Sequence, residues 1–330
     1  MGVKVNEKNA ERVKRYLMHK NIFDTHLRVF RKGGFIYFPI GKASADASMT
    51  IKEMGGTMLN AKFGSQGTQG LGKMPNKDIA KSYDILGNIA VLGCKPEYAK
   101  KLASIVLKSN KRVKTVLLKG GAVSGRYRTR KYVFVSGTRN FIADYRENGC
   151  SFRFDVRKVF FSPRLSFERN RIACASRNGE NVMVMFAGVG PFAIEIANKN
   201  KESKVVAIEL NKTAYKYLLE NIALNKTGNV SAELGDVKKL AVKYEGFADR
   251  IVMPLPKTSS HFLDSALAVA RKKCIIHYYT FCGYDEKEHR VSEIKKSVEA
   301  EKRKFRLLKL RVVRPYSRST VEIVIDFAVY

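Results

Sequence analysis

Metal-ligating spacing is missing from this chain. Its five cysteines, Cys94, Cys150, Cys174, Cys274 and Cys282, include no C-x-x-C pair, and His19, His26, His261, His277 and His289 form no H-x-x-x-H or H-x-x-E-H pattern. A zinc site built on such pairs is therefore not expected, and an odd cysteine count argues against a disulfide framework. Nowhere do ~18 apolar residues follow one another, which argues against a membrane-spanning helix. Met1-Gly2-Val3-Lys4-Val5-Asn6-Glu7 has no apolar secretory core either. A soluble, cytoplasmic protein without a metal is expected. Acidic residues are scarce: 30 Asp+Glu face 62 Lys+Arg, a formal charge of +32 over 330 residues. That surplus points to an anionic partner, nucleic acid being the simplest. With 45% apolar residues the chain can bury sizeable cores, so it is no disordered polycation.

The charge is uneven. Residues 1–170 hold 34 Lys+Arg against 12 Asp+Glu, and residues 171–330 hold 28 against 18. The longest acid-free stretch, Tyr98 to Ala143, carries 12 basic residues. Within it, Arg126-Tyr127-Arg128-Thr129-Arg130-Lys131-Tyr132 interleaves cations with aromatics, a pattern suited to backbone phosphates and to stacking on bases.

Three segments differ in texture. In the first, residues 1–64, Ala10, Val13, Tyr16 and Leu17 recur at helical spacing within 7–20, and strands are expected at 27–30 and 35–40 around Gly33-Gly34. From Gly41 to about Lys77 the small, polar composition reads as a linker. The second module, residues 65–161, reads as a strand at 85–92, a helix at 97–107 and strands at 113–118, 132–135 and 152–156. The third, residues 162–330, opens on Ser162-Pro163, a helix start. Strands at 181–186, 204–210, 230–234, 249–253 and 273–280 then alternate with helices from Pro191, from Thr213 and around 261–270, as in a doubly wound parallel sheet. Strands at 305–313 and 320–330, joined by a Pro/Ser turn, imply an antiparallel hairpin at the sheet's edge.

Val182–Phe186 runs into Ala187-Gly188-Val189-Gly190-Pro191-Phe192-Ala193. Glycines at a strand-to-helix turn let the backbone approach a ligand at the helix N-terminus. Gly188 to Ala193 fits G-x-G-x-x-A, so a dinucleotide stays in play, although tight turns also have purely structural reasons. Glu209, 21 residues beyond Gly188 and near the end of the next strand, can accept hydrogen bonds from ribose hydroxyls in either ligand. Asp236 closes a third strand with a carboxylate suited to an adenine amino group, and a fourth runs into Pro254-Leu255-Pro256. Four such strand ends plus an antiparallel edge resemble class I S-adenosylmethionine (AdoMet) methyltransferases, which favours AdoMet over NAD.

Phe160-Phe161-Ser162-Pro163-Arg164-Leu165-Ser166-Phe167-Glu168-Arg169, together with Met185-Phe186-Ala187-Gly188-Val189-Gly190-Pro191-Phe192, resembles the archaeal and eukaryotic tRNA guanosine-37 N1-methyltransferases. Leu218 to Asn225, Ile275 to Tyr279 and Tyr83 to Ala90 are similar too, so the likeness spans essentially the whole chain. It implies an α/β class I AdoMet-dependent fold, Rossmann-like with an antiparallel C-terminal hairpin, preceded by two small α+β modules. It implies methyl transfer from AdoMet to N1 of the guanosine 3′ to the anticodon, by a monomer. The first module is then expected on the tRNA elbow and the other two domains on the anticodon loop. By position, cofactor contacts fall to Phe160, Arg164, Phe186, Gly188, Gly190, Glu209, Leu210, Asp236, Val237 and Pro254, and substrate contacts to Arg126, Arg130, Pro256 and Lys257. Glu168 stands where the family keeps its proton acceptor and Arg128 where it keeps the arginine facing O6. The chemistry asks for both: N1 of guanine carries a proton at neutral pH, and charge builds on O6 as it leaves. From residue type alone, Glu168 reads first as an i, i+4 partner of Arg164, and Arg128 as one more phosphate contact.

Two departures from the family stand out. Val184 replaces a frequent Asp, and Pro254-Leu255-Pro256 replaces N-L-P, which removes an asparagine able to bond the base. One archaeal branch shares that loop and is associated with a second methylation, on C7 of 4-demethylwyosine, giving isowyosine. A less polar, roomier pocket suits the larger ring, so dual activity is expected. The alternatives are the aminocarboxypropyl transferase of wyosine synthesis, with the same fold and cofactor, and a non-catalytic tRNA-binding protein.

Overall fold

The computed structural model describes residues 1–20, 22–24, 29–41, 45–61, 83–123 and 125–330. They fall into two compact units, Met1–Pro75 and Asn76–Tyr330.

In the first unit, the alternating Gly-Val-Lys-Val-Asn forms β1 (Gly2–Asn6). The expected helix is α1 (Ala10–His19), entered through a tight turn at Glu7–Asn9. β2 (Phe30–Lys32) and β3 (Phe35–Pro39) make the hairpin, while residues 27 and 28 of the expected strand lie outside the described residues. α2 (Ala45–Glu53) and β4 (Gly56–Leu59) follow, and the sheet order is β2-β3-β1-β4, all antiparallel. The linker reading from Gly41 is thereby corrected at 45–59; its remaining part from residue 62 lies outside the described residues. Gly56 is there for packing, since a Cβ would fall 2.7 Å from Ile51 Cγ2. Val3, Val5, Val13, Leu17, Phe38 and Ile51 form the core.

The second unit opens with β5 (Tyr83–Leu86), β6 (Ile89–Leu92), α3 (Pro96–Ser109), β7 (Thr115–Lys119) and β8 (Tyr132–Gly137), in sheet order β5-β6-β7-β8. The single strand expected at 85–92 is a hairpin instead. Gly87 turns it with φ 60°, so close to the neighbouring hairpin that a Cβ would lie within bonding range of the Asp144 carbonyl. That neighbour is β9 (Ile142–Glu147) with β10 (Cys150–Asp155).

The helix expected from Ser162 begins later. Pro163–Leu165 form one tight turn without a side-chain cap from Ser162, and α4 runs Ser166–Ala175. β11 (Asn181–Met185), α5 (Pro191–Lys199), β12 (Lys204–Glu209), α6 (Lys212–Asn225), β13 (Val230–Leu234), α7 (Val237–Ala241), β14 (Ala248–Met253), α8 (Leu263–Val269) and β15 (Ala270–Gly283) follow. α9 (Lys287–Ala300), β16 (Phe305–Pro315) and β17 (Thr320–Val329) complete the unit. The sheet order is β13-β12-β11-β14-β15-β17-β16, with the first five strands parallel and β17 antiparallel to both neighbours. The expected hairpin is present, with β17 inserted between β15 and β16.

Two buried charge clusters brace this unit. In one, Arg169 on α4 is 2% exposed and donates to both oxygens of Glu147, with its Nη2 also reaching the Ser162 carbonyl at 3.1 Å. Glu195 on α5 lies 3.5 Å from the same guanidinium and accepts from Asn148 at 2.8 Å. Burial first, then the Glu147 charge, holds the Glu195 carboxyl well above the usual carboxylate range. An acid with a raised folded pKa penalises the fold as pH climbs. The stability owed to its proton is intact below the unfolded value, about 4.3, and is lost as pH rises through the raised folded one. Glu195→Gln is therefore expected to flatten the decline of Tm between about pH 5 and about pH 9. Calorimetry across that range checks it, and an unchanged slope would clear Glu195 as its source.

In the other cluster, Arg250 donates to Glu180 (2.7 Å) and to Nε2 of His277 (2.7 Å), whose Nδ1 lies 2.7 Å from Asp326. Arginine has no acceptor, so Nε2 accepts, Nδ1 donates, and the ring is neutral. Burial lowers the His277 pKa accordingly. Burial pushes Asp326 up, but the bonds from His277 and Arg171 outweigh it and hold that carboxyl down at about 2.

Candidate functional site

The carboxyl ends of β11, β12, β13 and β14 meet at the switch point of the sheet, where open α/β folds bind ligands. A cavity of about 400 Å³ opens there. Phe160, Phe186, Leu210, Val237, Pro254 and Phe262 give it apolar walls, Gly188 bare backbone, Glu209 and Asp236 carboxylates, and Arg126, Arg128 and Lys257 cations. Ten of the expected contact residues, and Arg128 with them, thus come together.

The glycine turn is tight because Phe186 (φ 59°), Gly188 (φ 59°) and Gly190 (φ 93°) are all left-handed. A Cβ on Gly188 would meet nothing nearer than the Phe160 carbonyl at 3.9 Å, so the cavity reaches its backbone. A Cβ on Gly190 would fall 2.5 Å from Leu218 Cδ1; this glycine serves packing and lies outside the lining.

Glu209 ends β12 with one oxygen on the Gly188 amide and the other on the Asn211 amide, each at 2.7 Å. Burial nevertheless raises its pKa. Hydroxyl donors from a ligand would relieve that cost, so the residue fits a ribose. Asp236 caps α7 by accepting from the Lys238 amide at 3.0 Å, and its second oxygen accepts from Arg126 at 3.2 Å. Arg126, expected on the substrate, here pairs with Asp236, a carboxylate expected on the cofactor. Arg128 (φ 52°) lays its guanidinium 4.6 Å over the Phe160 ring. Burial pulls its pKa down against the attraction of Glu322.

Glu168 is not in the lining. It is 2% exposed, with Arg311 on one oxygen and Arg171 (2.9 Å) and the Tyr279 hydroxyl (3.1 Å) on the other. Arg164 also lies outside the lining: it pairs with Asp84 at 2.9 Å rather than with Glu168, and Lys119 holds the other Asp84 oxygen. Pro256 and Lys257 border a neighbouring groove of about 940 Å³, and Arg130 lines neither. The sequence reading missed Asn211, Phe262 and Tyr127 in the wall. Asn211 was detectable as an N-cap, since its side chain accepts from the Thr213 amide at 2.9 Å. Phe262, edge-on to Phe186 at 4.8 Å, carries no local signal. Among the described residues no group of three or more His, Cys, Asp or Glu side chains could hold a metal, and no helix is long and apolar enough to cross a membrane.

A nucleoside-sized cavity with carboxylates at adjacent strand ends, on a parallel sheet closed by an antiparallel hairpin, defines a class I AdoMet-dependent methyltransferase fold. The TRM5/TYW2 methyltransferase domain profile matches residues 143–308, the tRNA methyltransferase 5 N-terminal domain residues 2–48, and the TYW2 N-terminal domain residues 69–140. The chain belongs to the TRM5/TYW2 family. It is 35% identical over 339 residues to the tRNA (guanine(37)-N(1))-methyltransferase Trm5b of Pyrococcus abyssi, covering 100% of this chain and 99% of that protein. The tRNA (guanine(37)-N(1))/4-demethylwyosine(37)-methyltransferase Taw22 of Nanoarchaeum equitans is 32% identical over 265 residues, covering 64% of this chain and 88% of that one. Among solved structures, the complex of aTrm5 with tRNALeu superposes with TM-score 0.67 at 27% identity, covering 99% of both chains. P. horikoshii TYW2 bound to MeSAdo gives TM-score 0.67 at 29% identity, covering 76% of this chain and 91% of that one.

Proposed function

We propose that this protein is an AdoMet-dependent tRNA methyltransferase that acts on N1 of guanosine 37 and also on C7 of 4-demethylwyosine. The observation that carries the reading is the meeting, at one cavity, of nucleoside-type carboxylates with arginines from the basic Arg126–Arg130 segment. AdoMet, when bound, supplies an electrophilic methyl group. Glu209 would hold its ribose, Asp236 its adenine amino group, and Phe160, Phe186 and Pro254 its flanks. Arg128, fixed over Phe160, would stabilise charge building on O6. Glu168 would accept the N1 proton once one of its present partners moves. Pro254-Leu255-Pro256 leaves the base-facing loop without a side-chain amide, which suits a larger tricyclic base. The first module would grip the elbow, the second and third the anticodon loop, and the protein would work as a monomer in the cytoplasm. An aminocarboxypropyl transfer would use the same cofactor, and product mass separates the two.

The test is nucleoside mass spectrometry after incubation with AdoMet and tRNA bearing either guanosine or 4-demethylwyosine at position 37. Methylation of both supports the full reading, methylation of guanosine alone removes the second activity, and an aminocarboxypropyl adduct overturns methyl transfer.

A further inference from the structure

We propose that Arg311 is a gate on the Glu168 carboxylate, closed in the free protein and drawn open by a phosphate of bound tRNA. This inference rests on the reading of tRNA as substrate and of Glu168 as proton acceptor.

Both oxygens of Glu168 are engaged by donors, so the group is not free to take a proton from a base. One partner must leave, and the three are not equally able to. Tyr279 on β15 is 1% exposed and packed in the core. Arg171, on α4 with Glu168, is fixed from its far side by Asp326 of β17 at 2.6 Å. Arg311, on the edge strand β16, is the most exposed of the three: its side chain is 30% exposed against 14% for Arg171. Among the described residues no second carboxylate holds it. Its guanidinium lies 4.4 Å over the ring of Phe167, an exposed aromatic on α4, which gives it a surface to slide along.

The setting of Arg311 supplies the force. Between Glu301 and Glu322 the chain carries eight basic residues and no acid, including Arg306, Lys309, Arg314 and Arg318 around Arg311. This second basic stretch lies in the C-terminal half of the sequence, and its Arg314 and Tyr316 stand within electrostatic reach of Arg128. A polyanion following the edge strand would meet Arg311 as a planar, bidentate phosphate donor. The exchange swaps one anionic partner for another and leaves no guanidinium unpaired. Glu168 keeps Arg171 and Tyr279 but gains one free oxygen. The carboxylate thus becomes competent only when RNA lies on the hairpin.

Filter binding of tRNA across a salt series, with AdoMet present, tests the gate on Glu168→Gln, Arg311→Met, Arg311→Lys and the double variant E168Q/R311M. Glu168→Gln is expected to tighten tRNA binding roughly two- to fivefold, the worth of a partly exposed ion pair that need no longer break. Arg311→Met should weaken binding and reduce the salt slope by about one. In the Arg311→Met background, Glu168→Gln should give no gain. Arg311→Lys should keep the slope, and it carries the test if Arg311→Met fails to fold. An equal gain from Glu168→Gln with and without Arg311, or no gain at all, overturns the gate. The methylation rate of Glu168→Gln judges the proton-acceptor reading separately, because the binding coupling does not depend on turnover.

Discussion

Replacing Glu168 by glutamine should slow methyl transfer at saturating tRNA and AdoMet by about 10²–10⁴-fold, the usual contribution of a positioned general base. Glutamine keeps the shape and can still accept from Tyr279, and Arg171 keeps its bond to Asp326, so the fold is expected to hold. Single-turnover assays scored by nucleoside mass spectrometry measure the effect, with calorimetric titration of AdoMet as a control. The loss should lie in the chemical step, with cofactor affinity within a few-fold of the parent, because Glu168 is absent from the cofactor cavity wall. A variant that methylates at the parental rate would remove Glu168 from the reaction.

The second large effect concerns stability. Arg169→Met should cost about 3–5 kcal/mol, the usual consequence of removing one partner of a buried ion pair. Glu147 and Glu195 would then face each other without their shared guanidinium, both buried. The Ser162 carbonyl would lose its donor, and with it the bracing of the loop that carries Phe160 into the cavity. Urea denaturation gives the magnitude. Adding Glu147→Gln to Arg169→Met should recover part of it, since neutralising the stranded charge removes the main penalty. A loss under about 1 kcal/mol would mean that water or a neighbour compensates.

The catalytic sheet was legible because its strands are buried on both faces. Val182–Met185, Val205–Ile208 and Ile251–Met253 read as apolar runs, and each ends on a turn residue or a carboxylate. The same apolarity hid the β5–β6 hairpin, where one glycine in Ile85 to Leu92 reverses the chain. β9, the partner of β10, was missed altogether. α9 was invisible because a surface helix of Lys and Glu buries only Ile294 and Val298, with Val291 half-buried, too few to mark a period. α2 and β4 were taken for linker because Gly55-Gly56 looks like flexibility when it is close packing. In the site, Glu209 and Asp236 could be found because one ends its strand and the other lies just past the end of its own. The Arg126–Asp236 pair joins residues 110 apart, and the donors around Glu168 come from α4, β15 and β16. Those meetings are products of tertiary folding, and no local spacing encodes them.

The insertion of β17 between β15 and β16 has a consequence for biosynthesis. A ribosome releases β15 and β16 before residues 320–329 exist, and neither strand can pair with the other in the native order until β17 arrives to separate them. Asp326, which neutralises Arg171 and fixes the His277 ring, is on that late strand. The first unit holds no residue of this sheet, so it can condense early. The methyltransferase half, by contrast, must wait as an open five-stranded intermediate with Arg171 short of one counter-ion and the His277 ring short of its acceptor. Nascent chains stalled before Thr320 are therefore the form in which a chaperone, or a protease, would meet this protein.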